Sequence, residues 1–310
     1  MSVSPILFFM DRSIAAPPPA AYPPPRAVLE LLKPVTWFAP MWAFGCGVVS
    51  SGVPVQDRLW TLFAGVALCG PLVCGTSQAV NDWFDRHVDA INEPNRPIPS
   101  GRVPGRWGLG IAIVWTGLSL LVAASLGLWV FYATIVGLAA AWAYSAPPLR
   151  LKTNGWWGNA AVGLCYEGLP WFTAAAAMLA LRPPNEIIYL ALLYSIGAHG
   201  IMTLNDFKAV EGDKQMGVGS LPVRLGEAVA AKLACVVMAV PQVAVIALLM
   251  IWDRPLYAGI VAASLVVQML CMTRLLKDPK KFAPWYNATG VTLYVLGMLA
   301  SAIAVRGGLA

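Results

Sequence analysis

The sequence contains few charged residues. Asp, Glu, Lys and Arg make up 12% of its 310 residues, whereas about a quarter of the residues in a soluble domain are charged. This scarcity excludes an ordinary soluble enzyme. A nucleic-acid-binding domain is also excluded, because the basic residues are spread over loops between apolar stretches and form no patch.

Cysteine motifs are missing as well. The six cysteines, at positions 46, 69, 74, 165, 235 and 271, include no Cys-x-x-Cys pair and all fall in apolar stretches. The pattern therefore indicates neither a zinc site nor a disulfide framework, and it favours burial of these cysteines as small apolar side chains.

Hydrophobic residues are abundant instead. They make up 58% of the chain, and the mean hydropathy is +0.67. Runs of about 20 apolar residues, each long enough to cross a bilayer as a helix, recur along the sequence. We predict an all-α membrane protein with nine transmembrane helices, at residues 34–53, 59–80, 107–126, 128–145, 157–180, 186–205, 229–251, 255–273 and 286–305.

The N-terminal residues 1–28 differ in composition from the rest. Six prolines between positions 15 and 26 remove backbone donors and fix φ, which predicts a disordered or polyproline tail. No apolar core typical of a cleaved signal peptide is evident. We place the membrane domain at residues 29–310.

The basic residues predict the orientation. Seventeen Lys and Arg residues fall in the N-terminal tail and in alternate loops, and four fall on the other side. Positive residues concentrate in the cytoplasm. We therefore expect a cytoplasmic N-terminus and a C-terminus on the opposite side of the membrane.

Two acidic stretches follow apolar runs and match each other. Residues 81–89, the first acidic motif, and residues 205–213, the second acidic motif, share Asn, Asp, an aromatic residue and a final Asp at a constant offset of 124. About four spans separate them. This spacing indicates a duplicated four-helix unit followed by a ninth helix, and such repeats place functional sites at their interface.

Residues 82–93 and 206–213 hold seven of the fifteen acidic residues, namely Asp82, Asp85, Asp89, Glu93, Asp206, Glu211 and Asp213. On a continuing helix, the first three share one face and repel one another, so cations must offset them. Two carboxylate clusters suit Mg²⁺ bridging a diphosphate, and nearby basic residues suit its remaining oxygens. The alternative is a solvated acidic loop face.

A diphosphate site at the mouth of an apolar helical bundle favours a prenyl diphosphate as substrate. Its ionisation leaves an allylic cation and places negative charge on the departing diphosphate. Metal and basic side chains would stabilise that charge, and aromatic rings near the loops would stabilise the cation.

Three stretches, residues 81–101, residues 144–156, and residues 205–213 followed by 220–222, resemble the UbiA-type intramembrane prenyltransferase superfamily, and within it the chlorophyll and bacteriochlorophyll synthases. The resemblance extends over residues 30–305. It implies nine helices around a central cavity and Mg²⁺ as cofactor. The implied metal ligands are Asp82, Asp85, Asp89, Asp206, Glu211 and Asp213, with Asp82, Asp85, Asp206 and Asp213 also catalytic. The expected substrate-binding residues are Asn81, Arg86, Arg96, Tyr144, Lys152, Glu167, Asn205, Lys208 and Lys214.

One position departs from the superfamily. Ala209 stands where many members carry another Asp, so the second site has fewer carboxylates, for which Glu211 would compensate. Glu167 is expected to bind substrate because a carboxylate inside a membrane span is energetically costly and usually has a function. His199 is either an axial ligand for a pigment magnesium or a histidine satisfied by an interhelical hydrogen bond.

The implied reaction esterifies the propionate of a (bacterio)chlorophyllide with geranylgeranyl or phytyl diphosphate in a bacterial inner membrane. A propionate, with a pKa of about 4.3, is already ionised and needs no general base. Residues 33–38 and 160–172 are closer to the bacteriochlorophyll branch, which we favour over a chlorophyll synthase. Pigment-assembly proteins remain open as partners, and no nucleic acid is expected.

Two other classes remain as alternatives. A repeat-type transporter would place its ion site near the midplane in broken helices, whereas these acids lie at span ends. A non-catalytic pigment carrier would explain an apolar cavity but gives two diphosphate-type motifs no purpose.

Overall fold

The computed structural model describes residues 22–308, which form a bundle of α-helices. The helices in chain order are α1 (Pro25–Leu31), α2 (Phe38–Ser51), α3 (Leu59–Ala67), α4 (Gly75–Asn92), α5 (Trp107–Leu126), α6 (Leu128–Ser145), α7 (Gly155–Gly163), α8 (Leu169–Leu179), α9 (Asn185–Asp206), α10 (Val210–Gln215), α11 (Leu221–Leu225), α12 (Glu227–Ile251), α13 (Pro255–Leu275) and α14 (Pro279–Ala304).

Each of the nine predicted spans overlaps helix in the structure. Within residues 22–308, seven helical segments are long and apolar enough to cross a membrane. The other two spans correspond to α2, which has 14 residues, and to α7 and α8, which a π-helical segment separates. The count of nine transmembrane helices and the internal duplication stay predictions.

The N-terminal tail is only partly described, since residues 1–21 lie outside the described part of the chain. Its last residues are not extended, because α1 begins at Pro25. Proline is well tolerated in the first turn of a helix, where its missing N–H has no intrahelical partner. The prediction of a disordered tail up to residue 28 is therefore corrected for residues 25–28.

Two prolines inside spans coincide with π-helical segments. Pro71 lies in the π segment Leu68–Cys74, and Pro170 follows the π segment Leu164–Gly168. A proline cannot donate to the carbonyl four residues before it, and its ring clashes with that carbonyl. Such π-helical segments are rare in proteins as a whole, but those that occur often lie at functional sites.

The bundle packs through small residues and leaves large apolar side chains on the outside. A Cβ atom added to Gly47 would lie 2.2 Å from the carbonyl oxygen of Trp171, so α2 and α8 touch backbone to backbone. Close approach at small residues is typical of membrane helices. Leu121, Ile251 and Leu270 are 69%, 76% and 65% exposed, as residues that face lipid would be.

The loops at one end of the bundle are joined to one another. Residues 153–155 pair with Gly219 through two backbone hydrogen bonds of 2.9 Å. Asn92, at the end of α4, donates to the sulfur of Met216 at 3.7 Å. At the other end, Gly307 donates to the carbonyl of Ser50 at 3.4 Å. The segments that follow α4, α6 and α9 therefore form one layer.

Candidate active site

A cavity of about 530 Å³ opens beside this layer of loops and is lined by both acidic motifs. Asn81 lines it from the first motif, and Asn205 and Asp206 line it from the second. Tyr144, at the end of α6, lies on the same wall. Although the motifs are 124 residues apart, they face one space.

The first motif lies entirely on α4, as the spacing predicted. Asp82 is buried and Asp85 half-buried, and Asp89 lies two turns beyond Asp82 on the same helix. Arg96 bridges this row, 3.4 Å from Asp82 and 2.9 Å from Asp89. Lys33, in the segment after α1, donates to Asp82 at 2.6 Å. The repulsion along the row is thus offset by cations from two other segments.

The connection between α6 and α7 neutralises the middle of the row. Lys152 contacts both oxygens of Asp85 at 2.5 Å, and Arg150 lies 3.9 Å away. Burial lowers the pKa of the Lys152 ammonium from its usual value, an effect that the Asp85 carboxylate partly offsets. Asn81 also donates to Asp85, at 3.1 Å.

The second motif has different neighbours. Asp206 is the last residue of α9, and it accepts from the amide of Asn159 at 3.1 Å. Asn205 accepts from Asn287 at 3.3 Å. Asp213 lies on the short helix α10. Within residues 22–308, neither Asp206 nor Asp213 forms an ion pair, so this half of the site keeps its negative charge.

The structure does not bring every predicted residue to the cavity. Arg86 donates to the carbonyl of Trp83 at 2.7 Å and stacks on its ring. Lys208, Glu211 and Lys214 are exposed on the second motif.

Two intramembrane residues also lie away from the cavity. Glu167 is buried, does not line the cavity, and has an oxygen without a hydrogen-bond partner among the described residues. The His199 ring nitrogen Nε2 lies 3.1 Å from the backbone carbonyl oxygen of Trp156, and the two rings are tilted by 58° with their centroids 4.7 Å apart. His199 on α9 therefore has an interhelical contact with α7, as the second of its two interpretations predicted.

Lys33 and Asn159 are the site residues that sequence reasoning missed. Lys33 was counted only among the orienting charges, and Asn159 was one polar residue in a predicted span. The signal for Asn159 was its polarity at membrane depth, because polar side chains there are costly and often functional. Lys33 carries a left-handed backbone (φ 48°) just before Pro34, but nothing in its sequence context pointed to Asp82.

The carboxylates are suitable donors for Mg²⁺. Buried Asp82 has an oxygen, Oδ2, without a hydrogen-bond partner in the described part of the chain. Within the same residues, no three acidic, His or Cys side chains form a metal-binding group. This still fits Mg²⁺, which takes one or two carboxylates and completes its shell with water and phosphate oxygens. Asp89, held by Arg96, and exposed Glu211 are the least suited of the predicted ligands.

The interior of the cavity is largely apolar. Below the motifs its wall includes Val73, Gly137, Ala141 and Val162. A smaller pocket of about 30 Å³ continues inward and shares Cys69, Val73, Gly137 and Cys165 with it. The site therefore combines a polar mouth with a hydrocarbon-like interior.

Comparison with known proteins assigns the chain to a family. Residues 35–294 match the model of the UbiA prenyltransferase family. The chain belongs to this family and is an integral membrane prenyltransferase.

Relatives with high identity extend over nearly the whole chain. It is 61% identical to the bacteriochlorophyll synthase 33 kDa chain of Cereibacter sphaeroides, with 93% of this chain and 96% of that protein aligned. The Rhodobacter capsulatus protein of the same name is 56% identical over 96% and 99%. A chloroplastic chlorophyll synthase of Oryza sativa is more distant, with 39% identity over 89% and 76%.

A solved structure shares the fold. The UbiA homolog from Archaeoglobus fulgidus bound to GPP and Mg²⁺ superposes with a TM-score of 0.69 at 19% identity, covering 88% of this chain and 99% of that one. The all-α architecture predicted from the sequence is thus confirmed as a UbiA-like fold.

Proposed function

We propose that this UbiA prenyltransferase is a bacteriochlorophyll-forming enzyme, which esterifies the propionate of bacteriochlorophyllide a with geranylgeranyl or phytyl diphosphate. The observation that carries the proposal is the single cavity lined by Asn81, Asn205 and Asp206, with an apolar interior below them. The identity of 61% to a bacteriochlorophyll synthase supports the choice of pigment.

The two ends of the cavity match the two parts of a prenyl diphosphate. The isoprenoid chain would lie among apolar side chains, where removal of its surface from water stabilises binding. The diphosphate would lie at the mouth, between the motifs. Lys33 and Lys152 are within reach of that position, since they already contact carboxylates of the first motif.

Positive charge at the mouth would drive the reaction. As the bond between C1 and the bridging oxygen breaks, the diphosphate gains negative charge, and preorganised cations stabilise this charge more strongly than water does. The propionate attacks as a carboxylate, so no residue has to remove a proton.

We assign Mg²⁺ to Asp82 and Asp85 of the first motif and to Asp206 and Asp213 of the second. When bound, it would neutralise the diphosphate and hold it between the motifs. Because Asp82 and Asp85 already contact basic residues, substrate binding must exchange some of these ion pairs for contacts to phosphate oxygens. The Archaeoglobus fulgidus homolog is bound to GPP and Mg²⁺, which supports Mg²⁺ as the ion.

The distribution of Lys and Arg supports a cytoplasmic location for the N-terminus and for both motifs, in the inner photosynthetic membrane. Both substrates would then reach the cavity from the cytoplasmic side. A cysteine introduced within the second motif, at exposed Gly212, should react with a membrane-impermeant thiol reagent only in inside-out vesicles.

The test is a reaction with purified protein in lipid nanodiscs. Mg²⁺, bacteriochlorophyllide a or chlorophyllide a, and geranylgeranyl or phytyl diphosphate are supplied in all pairings, and esters are detected by mass spectrometry. We expect the bacteriochlorophyllide ester to form fastest, and no ester to form after chelation of Mg²⁺ or in Asp206→Ala.

Other outcomes would contradict the proposal. Faster esterification of chlorophyllide a would make the chain a chlorophyll synthase. Pigment binding without any ester would favour a carrier, and movement of a substrate across proteoliposomes without chemical change would favour a transporter.

A further inference from the structure

A group of polar side chains lies in the wall of the cavity, deeper than the acidic motifs. It consists of Thr36, Cys74, Gln78 and Tyr166, called here the mid-cavity cluster. All four line the cavity. They come from three separate segments, and none is an acidic or a basic residue.

Hydrogen bonds hold the cluster together. Gln78 donates to the hydroxyl oxygen of Tyr166 at 3.3 Å. Cys74 donates to the same oxygen at 3.6 Å and lies 3.3 Å from the hydroxyl of Thr36. Since the Tyr166 oxygen accepts from Gln78, the phenol O–H is the group that it can offer to a ligand in the cavity. A glutamine amide has a second N–H as well. Two neutral donors therefore sit side by side on the cavity wall.

The backbone is distorted where this cluster forms. Tyr166 lies in the π segment Leu164–Gly168, and Cys74 ends the π segment Leu68–Cys74. Pro170 accounts for the first distortion, because it cannot donate to the carbonyl of Tyr166. The two π segments meet at the contact between Cys74 and Tyr166. Because π segments are frequent at functional sites, this position favours a functional role for the cluster.

The depth of the cluster matches the place where the acceptor must react. Gln78 lies three residues before Asn81 on α4, or about 4.5 Å further into the membrane and on the same face. An attacking oxygen must approach C1 of the prenyl chain to roughly 3–3.5 Å. Since C1 is attached to the diphosphate through one oxygen, a nucleophile opposite that bond lies about one helical turn below the diphosphate.

We propose that Gln78 and Tyr166 bind the carboxylate of the acceptor and aim one of its oxygens at C1. The inference rests on the proposed function and adds the acceptor subsite to it. The carboxylate oxygen forms a bond to C1, the bond from C1 to the diphosphate breaks, and the diphosphate leaves with the electron pair. No proton is transferred.

Neutral donors suit this task. Among the described residues that line the cavity, Asp206 is the one with a charged side chain, and it belongs to the mouth. A lysine or arginine at the depth of Gln78 would form a salt bridge with the carboxylate and lower its reactivity. Amide and phenol donors fix the orientation of the carboxylate while leaving its charge available.

The experiment measures binding in the absence of prenyl diphosphate. Bacteriochlorophyllide a and its methyl ester are titrated into nanodisc-embedded protein, and the pigment absorbance change gives each Kd. A hydrogen bond to a charged group contributes enough for the wild type to prefer the free acid by about tenfold or more. Gln78→Leu and Tyr166→Phe should each reduce this preference to roughly threefold or less, with Kd for the methyl ester unchanged.

Matched substitutions elsewhere provide the controls. Gln268 forms a buried pair with Gln242 at 3.0 Å, and Tyr294 donates to a backbone carbonyl, both away from the cavity. Gln268→Leu and Tyr294→Phe should keep the wild-type preference for the acid. A further variant, Gln78→Glu, should invert the preference in favour of the methyl ester, because two carboxylates would then face each other.

The result that overturns the inference is a wild-type acid preference in Gln78→Leu, Tyr166→Phe and Gln78→Glu. Equal affinity of the wild type for acid and ester would overturn it as well. Failure of the proposed function looks different: the wild type would prefer the acid but form no ester. In active protein, the two loss-of-donor variants should raise KM for the pigment and leave KM for the prenyl diphosphate within about twofold.

Discussion

The two acidic motifs share a sequence pattern but occupy different environments. The first lies in the middle of a continuous helix, and its carboxylates contact Lys33, Arg96 and Lys152. The second begins where α9 ends, and Asp206 contacts the neutral amide of Asn159. In the described chain, then, one motif is neutralised by ion pairs while the other is not.

This difference suggests a division of labour. The first motif brings cations to the mouth of the cavity, where the proposed function places the diphosphate. The second contributes carboxylates that lack ion-pair partners within residues 22–308, so a metal ion could bind them without breaking an ion pair. The motifs resemble each other in sequence, but the loops that surround them give them complementary charge.

The largest expected effects come from replacing the equivalent aspartates. Asp82→Ala and Asp206→Ala should each lower kcat by at least about a hundredfold, as for other groups that stabilise developing charge. They should differ in stability. Asp82→Ala removes the partner of Lys33 and Arg96 and should cost roughly 2 kcal/mol, less than a fully buried pair because both cations still contact water.

Asp206→Ala should cost about 1 kcal/mol or less, since it removes one hydrogen bond from a neutral amide. Turnover and thermal unfolding in the same detergent measure both effects. Equal losses of stability in the two variants would contradict the difference between the motifs.

A close backbone approach between the α6–α7 connection and the segment that follows the second motif offers the next test. A Cβ atom on Gly155 would lie 2.5 Å from the backbone nitrogen of Leu221 and 2.8 Å from Ser220. Gly155→Ala should therefore push apart the loops that carry Lys152 and the second motif, at a cost of about 1–3 kcal/mol, with a several-fold loss of kcat. Thermal unfolding and turnover measure this.

The control is Gly110→Ala on α5, where an added Cβ meets nothing within 4 Å. It should be neutral or stabilising by up to about 1 kcal/mol. If both alanine variants behave alike, the close approach at Gly155 does not determine the positions of the two loops.

The basic residues should also differ between the motifs. Lys152→Met removes a half-buried cation that contacts both oxygens of Asp85, and should lower kcat/KM for prenyl diphosphate by about tenfold. Lys208→Met, at an exposed position of the second motif, should lower it by about threefold or less. Steady-state kinetics at fixed pigment concentration measure both, with Lys277→Met in a distant loop as the control.

The smallest effect is expected for the surface pair between Arg102 and Glu30. These side chains are 40% and 44% exposed, and such pairs contribute about 0–1 kcal/mol. Arg102→Ala should shift the free energy of unfolding within that range and keep kcat within about twofold of the wild type. A loss as large as that of Lys152→Met would mean that this pair, through α1, positions Lys33.

The hydrophobic runs predicted nine spans, and each of them overlaps helix in the structure. This succeeded because the length and polarity of a segment are local properties. The same holds for the row of aspartates on α4, since a helical period alone puts Asp82 and Asp89 on one face. A shared cavity for the two motifs was also expected from their position at span ends. The last residues of the tail were mispredicted, because the first turn of a helix tolerates proline.

Tertiary structure alone decided which partners these groups have. Lys33 is 49 residues from Asp82, and Lys152 is 67 from Asp85, so no local pattern connects them. It also directed Glu167 and His199 away from the cavity and brought Tyr166 into it. The amino-acid sequence determines where helices form and where charge accumulates, because both depend on neighbouring residues. The contacts that make a site depend on how loops distant in sequence meet in space, because only the packed bundle sets those distances.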